Sequence, residues 1–196
     1  MFGIMRDGSL RFMVPFFLFL YSYSNACTKN SGSSKATGSI PGIATFVAPY
    51  DGQVHFVPLP NGRMQINGSV SGLPPNETLG VHVHETGDIS NHCLNAGAHW
   101  SFVKRAAHGG PKTAYRHAGD LGNLQTDSDG VMQFNLDYLP VYNDPSHGFI
   151  GLVLAITDHE DDLGLGRNEE SLKSGNAGMP LACAVIGRAK AEDKNI

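Results

Sequence analysis

From Gln53 onward the chain consists largely of short runs in which apolar and polar residues alternate. Alternation with a period of two puts every second side chain on one face of an extended strand. The pattern predicts strands over Gln53–Leu59, Arg63–Val70, Leu79–Glu85, Val131–Tyr138, Phe149–Thr157 and Leu181–Arg188. Turn-forming clusters separate them, including Pro60-Asn61-Gly62 and Asp127-Ser128-Asp129-Gly130. No segment carries an apolar stripe of helical period over three turns, and no internal repeat is visible. Two long Gly-rich polar stretches, roughly 86–123 and 158–180, lack the strand pattern. Loops of that length are either functional or disordered. The chain therefore reads as all-β, an antiparallel sandwich or barrel with two large loops.

A different pattern precedes this region. Phe12 to Tyr23, FMVPFFLFLYSY, is apolar, with Arg6 and Arg11 before it and Ser24-Asn25-Ala26 after it. That is the layout of a secretory signal, and the run is too short for a membrane span. A buried N-terminal strand is the competing reading, and Pro15 within the run speaks against it. Residues 27–41, CTKNSGSSKATGSIP, form a flexible polar segment. The expected organisation is a signal peptide at 1–26, this segment at 27–41, one domain at 42–190 and a tail at 191–196. The mature chain is then extracellular and has no membrane span. A secretory route permits disulfides. It also makes Asn67-Gly68-Ser69 and Asn76-Glu77-Thr78 candidate glycosylation sites.

Composition narrows the function. Apolar residues make up 41% of the 196, too many for a disordered chain. Fourteen basic residues against 18 acidic ones give a net charge of −4 without a basic run, which argues against nucleic acid as a partner. Three cysteines are too few for a disulfide-knit miniprotein.

The nine histidines carry the chemistry. His82-Val83-His84 lies in an alternating strand, so both imidazoles project from one face, about 7 Å apart at Cα. That spacing suits two ligands of one metal, although an isolated pair of this kind is more often a surface feature. His99, His108 and His117 follow at intervals of nine, with Asp120 three residues after the last. Three imidazoles and a carboxylate make a closed tetrahedral zinc site. A Gly-rich loop has little core to order it, and metal binding would supply the missing free energy.

Four segments carry a family resemblance: GVHVHETGD (80–88), HGGPKTAYRHAGDLGN (108–123), DDLGLGRNEES (161–171) and GNAGMPLACAVIG (175–187). In order and spacing, over about residues 43–190, they resemble the copper/zinc superoxide dismutases. The resemblance implies an eight-stranded antiparallel Greek-key β-barrel, an immunoglobulin-like sandwich with two long metal-site loops. It implies zinc held by His99, His108, His117 and Asp120, and copper held by His82, His84 and His99, the last bridging both metals. Asp161 matches the carboxylate that links a copper ligand to a zinc ligand. Cys93 and Cys183 match the disulfide that pins the first loop to the barrel, which would leave Cys27 unpaired. Gly87 and Ile150-Gly151 match the family's dimer face. The implied partners are therefore superoxide and a second subunit, in a homodimer or in a heterodimer with a dismutase subunit. The chain lacks the C-x-x-C domain and C-x-C tail of the dismutase copper chaperone.

Two positions depart from the family. A gapless register from His147-Gly148 to Asp161-Asp162 puts Thr157 where a fourth copper-binding histidine is expected. His159 lies two residues on and is the alternative fourth ligand if the chain bulges or slips. The continuous set Ile150, Leu152, Leu154 and Ile156 favours the gapless register without deciding it. Pro180 stands where the family places an anion-guiding arginine, and proline has neither charge nor donor. The loop between His99 and His108 is also one residue longer than the family's. Both departures act against catalysis, so the resemblance implies a zinc site kept and dismutation weak or lost. A working extracellular enzyme that uses His159 is the alternative.

Overall fold

The computed structural model describes residues 40–59, 62–103, 105–138 and 148–190. The expected signal at 1–26, Cys27, most of the polar segment and the 191–196 tail lie outside the described residues. The described part belongs to one unit, Lys35–Ile196.

Eight strands form: β1 (Gly42–Phe46), β2 (Asp51–Pro58), β3 (Met64–Ser71), β4 (Thr78–His84), β5 (Asp120–Gln125), β6 (Met132–Tyr138), β7 (Val153–Thr157) and β8 (Pro180–Arg188). They pair antiparallel in the order β5-β4-β7-β8-β1-β2-β3-β6. The two ends of this order meet through a bridge between Thr126 and Met132, so the sheet curls into a nearly closed barrel. The β3–β4 and β6–β7 connections cross over other strands, which is Greek-key connectivity.

All six strands expected from alternation are present within a few residues. The largest shift is in β7, which starts at Val153. Gly148 and Gly151, at φ 51° and 86°, turn the chain just before it. Two strands escaped the pattern. β1 is only five residues long, and β5 (DLGNLQ) interrupts its leucines with Gly and Asn. A short helix, α1 (Glu169–Ser174), was also missed. Six residues cannot display a helical stripe. Its ends are legible instead: the Asn168 side chain accepts from the Ser171 N–H at 2.7 Å, and Gly175 closes it with φ 71°.

The barrel interior is filled by alternate residues of each strand, among them Val54, Phe56, Ile66, Leu154, Ile156 and Ile186. β4 is the informative case. Leu79, Val81 and Val83 enter this core, yet Gly80, His82 and His84 on the opposite face are buried as well. The two long loops cover that outer face. Each fully buried Val or Leu contributes about 1.5–3 kcal/mol, so the inner face anchors β4 while the outer face is left to polar groups. On β7 the same division puts Val153 and Ala155 in a small outer cluster with Ala96 and Cys183. Cys183 is disulfide-bonded to Cys93, with Cα atoms 6.4 Å apart, which fastens the first loop to β8.

Candidate metal centre

The centre lies on the outer face of β4 and β5, under both loops. The β4–β5 register shifts between Val81 and His82, so that Val81 faces Gly122 while His82 faces Asp120. Such a bulge re-aims side chains, and here it sets the Asp120 carboxylate beside the imidazoles. A backbone bridge between His84 and His99 carries the first loop back over the strand.

Two groups of ligand atoms converge. In the first, one atom each from His99, His108, His117 and Asp120 lie within 4.8 Å of one another. The Nδ1 atoms of His99, His108 and His117 stand 2.8, 2.9 and 3.3 Å from the same Asp120 oxygen, Oδ1. The other carboxylate oxygen accepts from the backbone N–H groups of Gly109 and His117. In the second group, His82, His84 and His99 bring ring nitrogens within the same limit. His99 belongs to both. Asp161 spans them: its Oδ2 accepts from His82 Nε2 at 3.0 Å and its Oδ1 from His108 Nε2 at 2.7 Å.

The remaining ring nitrogens fix the tautomers. His82 gives Nε2–H to Asp161, His84 gives Nδ1–H to the Gly97 carbonyl at 2.8 Å, and His117 gives Nε2–H to the Ala106 carbonyl at 2.8 Å. An imidazole held this way aims its other nitrogen as a lone pair. His82 Nδ1 and His84 Nε2 are buried with no hydrogen-bond partner among the described residues. An unpartnered buried acceptor is costly, and a metal ion would satisfy both. The donor sets therefore fit a zinc-type N3O site and an adjoining imidazole site.

Electrostatics agree with the geometry. Burial and the neighbouring His82 push His99 down to about 3, so it is a neutral donor at ordinary pH. Burial also lowers His84. Burial opposes charge on His108 too, but its hydrogen bonds to Asp120 and Asp161 prevail and raise it to about 9. Burial would raise Asp120 and Asp161. Bonds from His108 and His117 hold Asp120 far below the usual carboxylate range, and bonds from His108 and His82 do the same for Asp161.

The departing residues lie close together. Thr157 is buried and pairs directly with Pro180 across β7 and β8. Its hydroxyl donates to the Gly80 carbonyl at 3.2 Å. A Cβ built on Gly80 would lie 2.5 Å from Thr157 Oγ1 and 2.9 Å from His82 Cε1, so Thr157 stands beside the imidazole set. His159 is elsewhere. Its ring is exposed and its Nδ1 bonds Asp158 at 2.7 Å, outside both converging groups. Its backbone is tied to Ala177 and Gly80, which holds the gapless register.

Several supporting residues were not singled out from the sequence. Asn123 clamps Asp161 by exchanging two hydrogen bonds with its backbone, at 2.7 and 2.8 Å. Gly175 leaves the space that Asp161 and His108 fill. Arg116 orders the loop beside His117: its guanidinium lies 5.4 Å above the Tyr138 ring, and the Tyr138 hydroxyl donates to Ala118. Gly175 opens the GNAG motif, and Arg116 and Asn123 fall within HGGPKTAYRHAGDLGN, so the family-like segments contained them without assigning them a role. Of the other expected positions, Asn67 and Asn76 are both exposed, on β3 and in the turn after it. Gly87 packs against the Gly151 carbonyl, also at the surface.

A Greek-key barrel carrying a three-histidine, one-aspartate cluster and a three-histidine cluster that share one imidazole has the donor sets of a two-metal β-barrel protein. The sequence profile of the copper/zinc superoxide dismutases matches residues 50–186. A "Superoxide dismutase [Cu-Zn]" of Paramecium bursaria Chlorella virus 1 is 39% identical over 188 residues, 96% of this chain and 97% of that protein. An "Extracellular superoxide dismutase [Cu-Zn]" of Schistosoma mansoni is 42% identical over 180 residues, 90% of this chain and 95% of that protein. The crystal structure of the clock protein EA4 superposes with a TM-score of 0.70 at 35% identity, covering 78% of this chain and 97% of that one. The chain belongs to the copper/zinc superoxide dismutase family. Among the described residues no helix is long and apolar enough to cross a membrane.

Proposed function

We propose that this chain is a secreted, zinc-holding member of the family whose copper position is one imidazole short, so that it disproportionates superoxide weakly. The observation that carries the reading is Thr157, whose hydroxyl is engaged with Gly80 while the alternative ligand, His159, turns to solvent against Asp158. In this reading His99, His108, His117 and Asp120 hold zinc, and His82, His84 and His99 are what remains for copper. Bound copper supplies the one-electron couple by which two superoxide anions and two protons become O2 and H2O2. The protein's own contributions are orientation and charge. Asp161 aims His82 and His108, the Gly97 carbonyl aims His84, and Asp120 gathers three imidazoles. What is missing is positive charge at Pro180, and with it part of the attraction that speeds anion encounter.

The test is the rate of superoxide disproportionation by the copper- and zinc-loaded protein. The double variant Thr157→His with Pro180→Arg is expected to be much faster than the parent, with the arginine's share fading as salt rises. A parent already near the diffusion limit, and abolished by His159→Ala, would overturn the reading. That outcome belongs to a second reading, a working extracellular dismutase using His159. Its support is the names of relatives about as similar as those above, over nearly their full length. In either reading we propose loss of residues 1–26 on export, glycosylation at Asn67 or Asn76, and pairing with a like subunit or a true dismutase subunit through the Gly87–Gly151 surface.

A further inference from the structure

We propose that Asp158 sets the charge selectivity of the approach to the metal centre. Its carboxylate, with Glu160 beside it, gathers small cations at the Thr157–Pro180 end and depletes small anions there, superoxide among them. The proposal deepens the impaired-dismutase reading and rests on it for the direction of approach, past Pro180.

The carboxylate is fixed in place. Its Oδ1 accepts the Met179 N–H and the His159 Nδ1–H, each at 2.7 Å. The backbone adds a third tie, from the Asp158 N–H to the Met179 carbonyl at 2.9 Å. Gly178, at φ 81°, makes room for this arrangement, since a Cβ there would overlap both Asp158 Oδ1 and His159 Nδ1. Asp158 follows Thr157 in the chain and Met179 precedes Pro180, and Thr157 and Pro180 pair across β7 and β8. A negative charge is therefore held next to the position that lacks the guiding cation. A neutral imidazole that donates Nδ1–H leaves that charge in place. The Asp158 side chain keeps 33% of its surface exposed, so small solutes feel it at close range.

The cations among the described residues of the two loops do not cancel this charge. In the second loop Arg167 and Lys173 stand against Glu169 and Glu170, and Lys173 Nζ lies 3.9 Å from the Glu170 carboxylate. Asp158 and the exposed Glu160 remain in excess. In the first loop Arg105 adjoins Ala106, whose carbonyl holds His117, and Arg116 adjoins His117 itself. Lys112 lies in the turn closed by the Thr113 N–H and the Gly110 carbonyl. These three border the zinc-type cluster, whereas Asp158 borders Thr157 and through it His82. In water a unit charge about 7 Å away changes the local concentration of a singly charged solute about threefold, upward for a cation and downward for an anion. Salt screens that effect.

The experiment uses the full-length, zinc-loaded protein without copper, so that its readout does not depend on catalysis. Nitroxides of the TEMPO type bearing a trimethylammonium, a carboxylate or a hydroxyl group are added in turn at pH 8. Paramagnetic relaxation is then measured for the amide protons of residues 157–160 and 177–179. At about 10 mM salt the cation-to-anion ratio of relaxation, each corrected by the neutral probe, is expected to exceed about five, and at about 0.5 M to approach one. Asp158→Asn, which keeps an oxygen for the Met179 N–H, should lower the low-salt ratio about threefold or more; its zinc content reports whether it has folded. A low-salt ratio at or below one, or a ratio unmoved in the folded Asp158→Asn variant, overturns this proposal and leaves the impaired-dismutase reading standing. If the ratio is as expected but the copper- and zinc-loaded parent works near the diffusion limit, the impaired-dismutase reading fails alone.

Discussion

Replacing Gly175 with alanine should weaken zinc binding, although Gly175 is not itself a ligand. The residue sits at φ 71°, and a Cβ there would come within 2.5 Å of His108 Nε2 and closer still to Asp161 Oδ1. Asp161 cannot simply withdraw. Its backbone is clamped to Asn123, and its Oδ1 also accepts the Leu163 N–H at 2.7 Å. The added carbon must therefore part the carboxylate from His108. A left-handed alanine costs about 1 kcal/mol, and a lost hydrogen bond between charged, buried groups costs about 2 kcal/mol. The sum, about 3 kcal/mol, corresponds to a fall in Tm of about 9 °C for a domain of this size. Loss of a carboxylate that orients a ligating histidine lowers metal affinity by about 10–100-fold. The assay is zinc competition against a chelator, together with melting in the presence and absence of zinc. Gly178→Ala is the control. Gly178 also has positive φ, 81°, but its Cβ would strike the exposed Asp158–His159 pair and leave the Asp161 bridge intact. Zinc affinity unchanged in Gly175→Ala, or equally reduced in Gly178→Ala, would refute the reasoning.

Other perturbations probe neighbouring parts of the centre. His117→Ala or Asp120→Ala should release zinc and raise amide exchange between residues 86 and 119, and retention of one zinc per chain by either variant would remove the ligand assignment. The metal-free protein should lose stability as pH rises. His108, raised from 6.5 to about 9, favours the folded state fully below about 6.5, and that contribution disappears as pH passes through about 9. The loss is at most about 3 kcal/mol. The zinc-loaded protein, whose metal takes the place of that proton, should show a flatter profile in the same melts, with proton uptake on chelation. Finally, Cys93→Ser should lower unfolding free energy by about 4–5 kcal/mol, because the bond closes a loop of 90 residues in the unfolded chain. An unchanged urea midpoint would contradict that.

The pattern of the chain was enough for the barrel's inner face. Val81 and Val83, Leu154 and Ile156 are apolar because they fill the core, and that requirement is written as a period of two. It was enough too to single out His99, His108, His117 and Asp120, which the fold brings together. Strands β1 and β5 and helix α1 stayed hidden because five or six residues broken by glycine do not complete a period. On the outer face of β4 the sequence marked His82 and His84 as candidate ligands but could not show that this face is buried. Burying them required two loops, a disulfide and a shifted β4–β5 register, each joining positions far apart in the chain. The same holds for the choice between Thr157 and His159. They share strand parity, so sequence alone left both open. Pairing with Pro180 buries the threonine beside His82, whereas bonds from the backbone of His159 to Ala177 and Gly80 set its ring at the surface. Periodicity determines which side of a strand a residue occupies. Which residues from distant strands and loops then meet on that side is decided by long-range pairing, because that energy is shared among contacts no single segment contains.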